Sequence, residues 1–158
     1  MIHVWRRDNF LISTDPALLN LEKIQELLST SYWDPNRPIA LTRRAIEHSL
    51  VFGVYNGERQ IGFARLVTDY TFFGYLCDVM IDDEYRGQGL GKWLIASILS
   101  HPELQGVRRW LLITRDAHGL YQQFGFTGLD EPERYMQLMR TAAPANGLVL
   151  PPTSIPEE

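Results

Sequence analysis

Cysteine is almost absent: Cys77 is the only one in 158 residues. That excludes an intrachain disulfide and any centre built from clustered thiolates, such as a structural zinc or an iron–sulfur site. Long apolar runs are missing too, since no stretch of about 18 residues is unbroken enough to cross a bilayer as a helix. The opening Met1-Ile2-His3-Val4-Trp5-Arg6-Arg7-Asp8 meets charge at once and contains no apolar signal core. A cytoplasmic location is therefore expected. There is no surplus of positive charge: 15 Lys and Arg against 19 Asp and Glu give a formal charge of −4. Nucleic acid and anionic membrane surfaces are accordingly not expected partners. No His, Cys or carboxylate spacing matches a metal-ligand pattern, so no metal is expected. No period of 20–50 residues repeats, which excludes a solenoid.

What is present describes one globular domain. The composition is 45% hydrophobic, 22% charged and 11% aromatic, in the range of soluble folded chains. A chain of this size buries a core without staples. Residues 1–140 are read as a single domain. Residues 141–158, with Pro144, Pro151, Pro152 and Pro156, are read as an extended or mobile tail.

The elements follow from local signals. Asn9–Thr14 reads as a first strand. Asp15-Pro16 opens an amphipathic helix through Leu18, Leu21, Ile24, Leu27 and Leu28, which ends before Tyr32. Asp34-Pro35-Asn36-Arg37-Pro38 is a break, and Leu41–His48 a second helix. Leu50–Tyr55 and Arg59–Val67 form a hairpin around Asn56-Gly57, where both turn positions tolerate positive φ. Tyr75–Ile81 is a third strand of this meander. Its alternation puts Leu76, Asp78 and Met80 on one face, with Tyr75, Cys77, Val79 and Ile81 on the other. A helix starts near Leu90 and stops before Pro102, and Trp110–Thr114 is a buried strand. Asp116–Phe124 is a short helix closed by Gly125, and Tyr135–Met139 a last strand. Helices followed by a meander and then β-α-β-α-β predict an α/β (α+β) domain with a mixed sheet.

Between the third strand and the Leu90 helix lies Asp82-Asp83-Glu84-Tyr85-Arg86-Gly87-Gln88-Gly89-Leu90-Gly91-Lys92. Glycines let successive N–H groups turn toward one point, and the new helix adds unpaired N–H groups and a positive dipole end. Such a turn holds phosphate, with Arg86 or Lys92 supplying charge. A P-loop is excluded, because Arg86 stands at its first glycine position and Trp93 at its hydroxyl position. A dinucleotide fingerprint is excluded as well, because Gly87, Gly89 and Gly91 are spaced by two.

Arg86-Gly87-Gln88-Gly89-Leu90-Gly91 matches Arg/Gln-x-x-Gly-x-Gly/Ala and resembles the pyrophosphate loop of the GCN5-related N-acetyltransferase (GNAT) superfamily. A second stretch, Leu120-Tyr121-Gln122-Gln123-Phe124-Gly125-Phe126, is similar to that family's Leu-Tyr-x-x-x-Gly-Phe, at a fitting interval. The resemblance spans about Leu50 to Met139. It implies a mostly antiparallel central sheet flanked by helices, with a splayed strand pair at the cofactor site, and transfer of acetyl from acetyl-CoA to a primary amine. It also implies that Val79, Met80 and Ile81 receive the pantetheine arm, and that Arg86, Gly87, Gln88, Gly89, Leu90, Gly91 and Lys92 receive the pyrophosphate. Phe124 and Tyr121 are implied near the cofactor, with Tyr121 as general acid to the departing sulfur. Many relatives have Asn where this chain has Thr114, whose hydroxyl is a partial substitute. A homodimer is left open.

Other assignments come from position. Asp78, on the strand leading to the loop, is the carboxylate best placed to take a proton or orient the acceptor; a carboxylate tied to Arg, with water as base, is the alternative. Cys77 reads as a small buried apolar group. Tyr32 and Trp33, with the Pro-framed loop after them and the loop Asp69–Gly74, are candidate acceptor walls. Trp33 is suited to stack on a cation. A non-catalytic CoA-binding module and an acetyltransferase acting on protein Lys or N-termini stay open beside the small-molecule reading.

Overall fold

A computed structural model describes residues 1–140; the tail read for 141–158 lies outside the described residues. Six strands lie in sequence order in one sheet: β1 (Val4–Arg7), β2 (Phe10–Ser13), β3 (Leu50–Asn56), β4 (Arg59–Thr68), β5 (Phe73–Ile81) and β6 (Arg109–Leu112). Every neighbouring pair is antiparallel except β5 and β6, which run parallel. The helices are α1 (Leu21–Ser29), α2 (Ile39–Glu47), α3 (Leu90–Leu99) and α4 (His118–Gln122).

The sheet is covered on both faces. On one, Ile24, Leu27 and Leu28 of α1 pack on Val51, Phe63 and Met80. On the other, Leu90, Leu94, Ile95 and Ile98 of α3 pack on Ile12, Phe52, Val54, Ile61, Ala64, Leu66 and Leu76. β4 supplies both clusters, Phe63 on one face and Ala64 and Leu66 on the other, as a central strand buried on both faces must.

Local chemistry moves several expected boundaries. The first helix does not run on from Asp15-Pro16: Pro16–Leu18 is a 3-10 turn, and α1 begins after Asn20, whose side chain accepts from Lys23 N at 3.0 Å. Asn20 satisfies the free amides of a new helix better than a continuation would. α2 likewise starts at Ile39, directly after Pro38. β1 is a strand that local pattern does not announce, because Val-Trp-Arg-Arg takes its shape from the ladder with β2.

The chain divides into two units, Met1–Phe126 and Thr127 onward. The described part of the second contains a 3-10 turn, Pro132–Arg134, with Arg134 paired to Glu131 at 2.6 Å. The strand expected over Tyr135–Met139 does not form. Met136 and Leu138 are 97% and 79% exposed, and a strand without a partner or a covered face has nothing to hold it.

The decisive irregularity is in β5. Phe63 pairs with Met80 and Arg65 with Cys77, so Ala64 faces two residues, Asp78 and Val79. This is a β-bulge, and Asp78 adopts φ of 53° within it. The extra residue resets the alternation. Leu76 joins the α3 cluster whereas Met80 joins the α1 cluster, so the single face expected for Leu76, Asp78 and Met80 does not exist.

Candidate active site

Just where β5 bulges, it loses its neighbour. Pairing with β6 runs from Phe73–Arg109 to Leu76–Leu112 and stops, while β5 continues to Ile81 against β4 alone. Among the described residues the outer edge of Cys77–Ile81 is therefore open, and unpaired strand N–H and C=O groups need a partner from somewhere. A cleft of about 840 Å³ lies in this gap, walled by Tyr32, Trp33, β5 and the segment from Leu112 to Tyr121, and reaching Arg86 and Gly91.

The glycine turn has the backbone expected of it. Gly87 (φ 82°) and Gly89 (φ 72°) both occupy the left-handed region, where a Cβ would be strained. The first intrahelical bond of α3 is Trp93 N to Gly89 O at 3.0 Å. The amides of Leu90, Gly91 and Lys92 therefore precede every intrahelical acceptor and can serve an anion. Arg86 and Lys92 are exposed beside them, Arg86 paired with Asp83 at 2.6 Å. The turn is held from β1: Arg7 donates from Nη2 to Gln88 O at 2.9 Å and lies 4.9 Å over the Trp93 ring.

Asp78 is the electrostatic centre of the cleft. Its Oδ1 accepts from Trp33 Nε1 at 3.2 Å and Arg37 Nη2 at 2.9 Å. Oδ2 accepts from Arg37 Nη1 at 2.8 Å and Arg65 Nε at 2.9 Å. A carboxylate offers about four lone-pair positions, and all are occupied. Burial alone would raise this carboxyl, but Arg37 and Arg65 outweigh it and hold the group below the usual carboxylate range. The arrangement removes the lone pair that a general base needs and makes Asp78 an anchor for two guanidiniums.

Tyr121 is buried on α4 with its ring edge-on to Phe126 at 5.8 Å. Burial, reinforced by Tyr32, pushes its phenol up to about 12, so it keeps its hydroxyl hydrogen at any ordinary pH. Burial also lifts the Cys77 thiol to about 11, leaving almost no thiolate at neutral pH. Thr114 Oγ1 accepts from Ala117 N at 3.0 Å, just before α4. At the rim, Arg115 N donates to the Tyr32 hydroxyl at 2.8 Å, and its guanidinium stacks 3.9 Å over the Tyr32 ring.

Of the residues singled out from sequence, Val79, Met80, Ile81, Asp78, Arg86, Gly91, Thr114, Tyr121, Tyr32 and Trp33 line this one cleft. Gly87, Gln88, Gly89, Leu90 and Lys92 belong to the turn at its end without lining it. Leu90's side chain is in the α3 core, and Phe124 packs against the same cluster. The loop Asp69–Gly74 does not line the cleft, although Tyr75 after it does. Arg7, Arg65 and Arg115 were not singled out, whereas Arg37 lies in the Pro-framed loop expected at the acceptor wall. Arg65 had a usable signal, a charge inside the otherwise apolar run of β4. His3, His101 and Glu103, which form the one potential metal-ligand group among the described residues, stand apart from the lining. His101 Nδ1 there accepts from Glu103 N at 3.2 Å, which places the neutral ring's proton on Nε2 and withholds the lone pair a metal would need.

Known proteins resemble this chain in sequence and fold. Residues 18–126 match the model of the acetyltransferase (GNAT) family. A Gibberella zeae protein named as an acetyltransferase is 34% identical over 140 residues, covering 74% of this chain and 78% of its own. The crystal structure of a Xanthomonas campestris protein described as an acetyltransferase of the GNAT family superposes with a TM-score of 0.79 at 42% identity, over 89% of this chain and 94% of that one. A GNAT acetyltransferase from Elizabethkingia anophelis, solved with acetyl-CoA bound, shares the fold at 17% identity and a TM-score of 0.62, over 85% of this chain and 90% of that one. The chain belongs to the acetyltransferase (GNAT) family.

Proposed function

We propose that the protein transfers the acetyl group of acetyl-CoA directly to a primary amine of a small molecule. The observation that carries this reading is the open edge of Cys77–Ile81, which faces a cleft running from the glycine turn to Tyr121. The residues present fit the co-substrate. An amide-rich pantetheine arm suits a strand edge that lacks its partner, and a pyrophosphate suits the amides of Leu90, Gly91 and Lys92 beside Arg86.

The thioester supplies an activated acetyl carbon. Over the reaction a C–N bond forms and the C–S bond breaks; nitrogen gives up one proton and sulfur gains one. Tyr121 donates its hydroxyl hydrogen toward the sulfur. A phenol near 12 is too weak an acid to protonate a resting thiolate of pKa about 8.5. Its contribution is therefore a hydrogen bond that strengthens as charge develops on sulfur, which is transition-state stabilisation. Water carries both protons: it takes the one that nitrogen loses, since Asp78 has no vacant lone pair, and supplies the one that sulfur gains. Val79, Met80 and Ile81 orient the arm through their main chain, and the walls of Tyr32 and Trp33 limit solvent access.

Titration calorimetry with acetyl-CoA, followed by thiol release with a panel of amines, tests this. Binding with release on small amines is the expected result. Binding without release points to a CoA-binding module, release confined to peptides points to a protein acetyltransferase, and no binding refutes the reading.

A further inference from the structure

The cleft is unusually well supplied with guanidiniums. Arg37, Arg65, Arg86 and Arg115 line it, against Asp78 and Asp116. Arg86 belongs to the turn end, which leaves Arg37, Arg65 and Arg115 around the acceptor half. Arg37 engages all three of its nitrogens, giving Nε to Asp34 at 2.7 Å and both others to Asp78. Arg65 does not. It gives Nε to Asp78 and Nη1 to Ser49 Oγ at 3.3 Å, and its Nη2 has no protein acceptor among the described residues. Arg115 uses Nη2 on Asp116 at 3.3 Å and keeps Nε and Nη1. On the acidic side, Asp78 is saturated, and Asp116 is exposed beside Arg115. An incoming ammonium therefore finds only Asp116, exposed and already paired with Arg115, whereas an incoming anion finds unused guanidinium N–H groups.

We infer that the amine accepted here carries an anionic group, a carboxylate or a phosphate, received by Arg65 with Arg115 at the rim. The inference rests on the acetyltransferase reading for the chemistry, but on the cleft alone for the charge. It reverses what the chain's formal charge of −4 would favour. Screening over about 8 Å at physiological salt lets the nearest groups dominate. The same guanidiniums disfavour a protonated amine in the cleft, so they promote the neutral nucleophile in a site whose buried carboxylate is not free to deprotonate it. A planar guanidinium also recognises carboxylate and phosphate oxygens with a geometry an ammonium lacks.

The test uses the full chain with three matched pairs: phenylalanine against phenylalaninamide, O-phosphoethanolamine against ethanolamine, and 1,4-diaminobutane against butylamine. Thiol release gives kcat/KM per unprotonated amine, and saturation-transfer NMR in the presence of CoA gives binding without turnover. The expected result is a preference of about tenfold or more for the anionic member of one of the first two pairs, the size of one charge-assisted hydrogen bond. The winning pair tells carboxylate from phosphate, and the diamine gains nothing over butylamine. The preference shrinks in Arg65→Gln. Because that change also loosens Asp78, it is repeated in Arg115→Gln, whose side chain is exposed, and at raised salt. Equal or better binding of the neutral and dicationic members overturns the inference, as does a preference unchanged in both variants. An anionic preference in binding with no thiol release from any amine upholds it and refutes acetyl transfer instead.

Discussion

Replacing Asp78 by Asn separates its anchoring role from catalysis. The carboxylate is 3% exposed and accepts from both Arg37 and Arg65. Asn keeps the shape and tolerates the φ of 53° as readily as Asp does. What changes is the charge, together with an amide N–H₂ that now faces donors instead of accepting from them. Removing one partner of a buried ion pair leaves an uncompensated charge and costs about 3–5 kcal/mol. Asp78→Ala adds left-handed backbone strain of roughly 1–2 kcal/mol. Tryptophan fluorescence in urea follows the loss directly, since Trp33 hydrogen-bonds this carboxylate. For a chain of this length a loss of that size lowers the Tm by about 6–20 °C. An Asn variant within about 1 kcal/mol of the parent, at an unchanged urea slope, refutes the anchoring argument.

The same experiment has a pH arm with a defined sign. The native carboxyl titrates below its ordinary value of 3.8, so the unfolded chain binds its proton first as acid is added. The stability contributed by Asp78 is present above that ordinary value and is lost as pH falls through the lowered native pKa. The gap between parent and Asn variant should therefore narrow below about pH 4. A general base would behave differently: the Asn variant would lose kcat and the acidic limb of its pH profile while keeping its stability.

Three further outcomes are expected. Tyr121→Phe keeps acetyl-CoA binding by calorimetry and lowers kcat by about ten- to a hundredfold, the value of one hydrogen bond strengthened in the transition state; unchanged turnover removes Tyr121 from the chemistry. Gly89→Ala forces a Cβ onto φ of 72° at a cost of about 1–2 kcal/mol, so the turn deforms and acetyl-CoA affinity falls in titration while the amine KM stays put; equal affinity refutes the cradle. His101 is fully buried, and its pKa is lowered from 6.5 by burial first and by His3 next. The native state therefore resists the proton that the unfolded chain accepts, and stability declines as pH drops below 6.5. His101→Leu should flatten that decline in urea titrations across pH 5–8, and a slope unchanged from the parent refutes it.

Legibility followed sequence separation. The hairpin after Tyr55 and the glycine turn were readable because a few adjacent residues fix their φ values, although the hairpin turns on Gly57 and Glu58, with Asn56 ending β3 and only Gly57 of the expected pair at positive φ. The α3 core stripe was readable for a related reason, since its period is local. β1 was not, because Val-Trp-Arg-Arg acquires strand structure only through its ladder with β2. Apolar residues over Tyr135–Met139 suggested a strand and none forms, because local composition states a preference without supplying a ladder. The bulge at Asp78 was invisible, since nothing in Tyr-Leu-Cys-Asp-Val-Met-Ile marks an inserted residue. Most of the acceptor side escaped for the same reason. Arg37 and Asp78 stand 41 positions apart, and Arg115 meets Tyr32 across 83.

These nonlocal features act as one device. A strand that stayed regular through Asp78 would keep its period, and nothing would turn Cys77–Ile81 off the line that β6 follows. The bulge supplies the turn, and bulges strengthen local twist. It also leaves a carboxylate beside an interrupted ladder, at a backbone angle that most residues resist. Arg65 from the neighbouring strand and Arg37 from the loop before α2 hold that carboxylate, so the irregularity is tied to both sides of the opening. Fixing Asp78 keeps the edge of β5 bare and, by consuming the only buried carboxylate in the cleft lining, leaves the acceptor half to guanidiniums. The opening for the pantetheine arm and the charge preference toward the amine then share a cause. A variant that repairs the bulge by deleting Asp78 should close both together: β5 and β6 would pair beyond Leu76, and acetyl-CoA binding and anionic-amine preference would disappear in the same protein. Hydrogen exchange at Val79 and Ile81 reads the new ladder, and retention of either binding property with those amides protected would break the link.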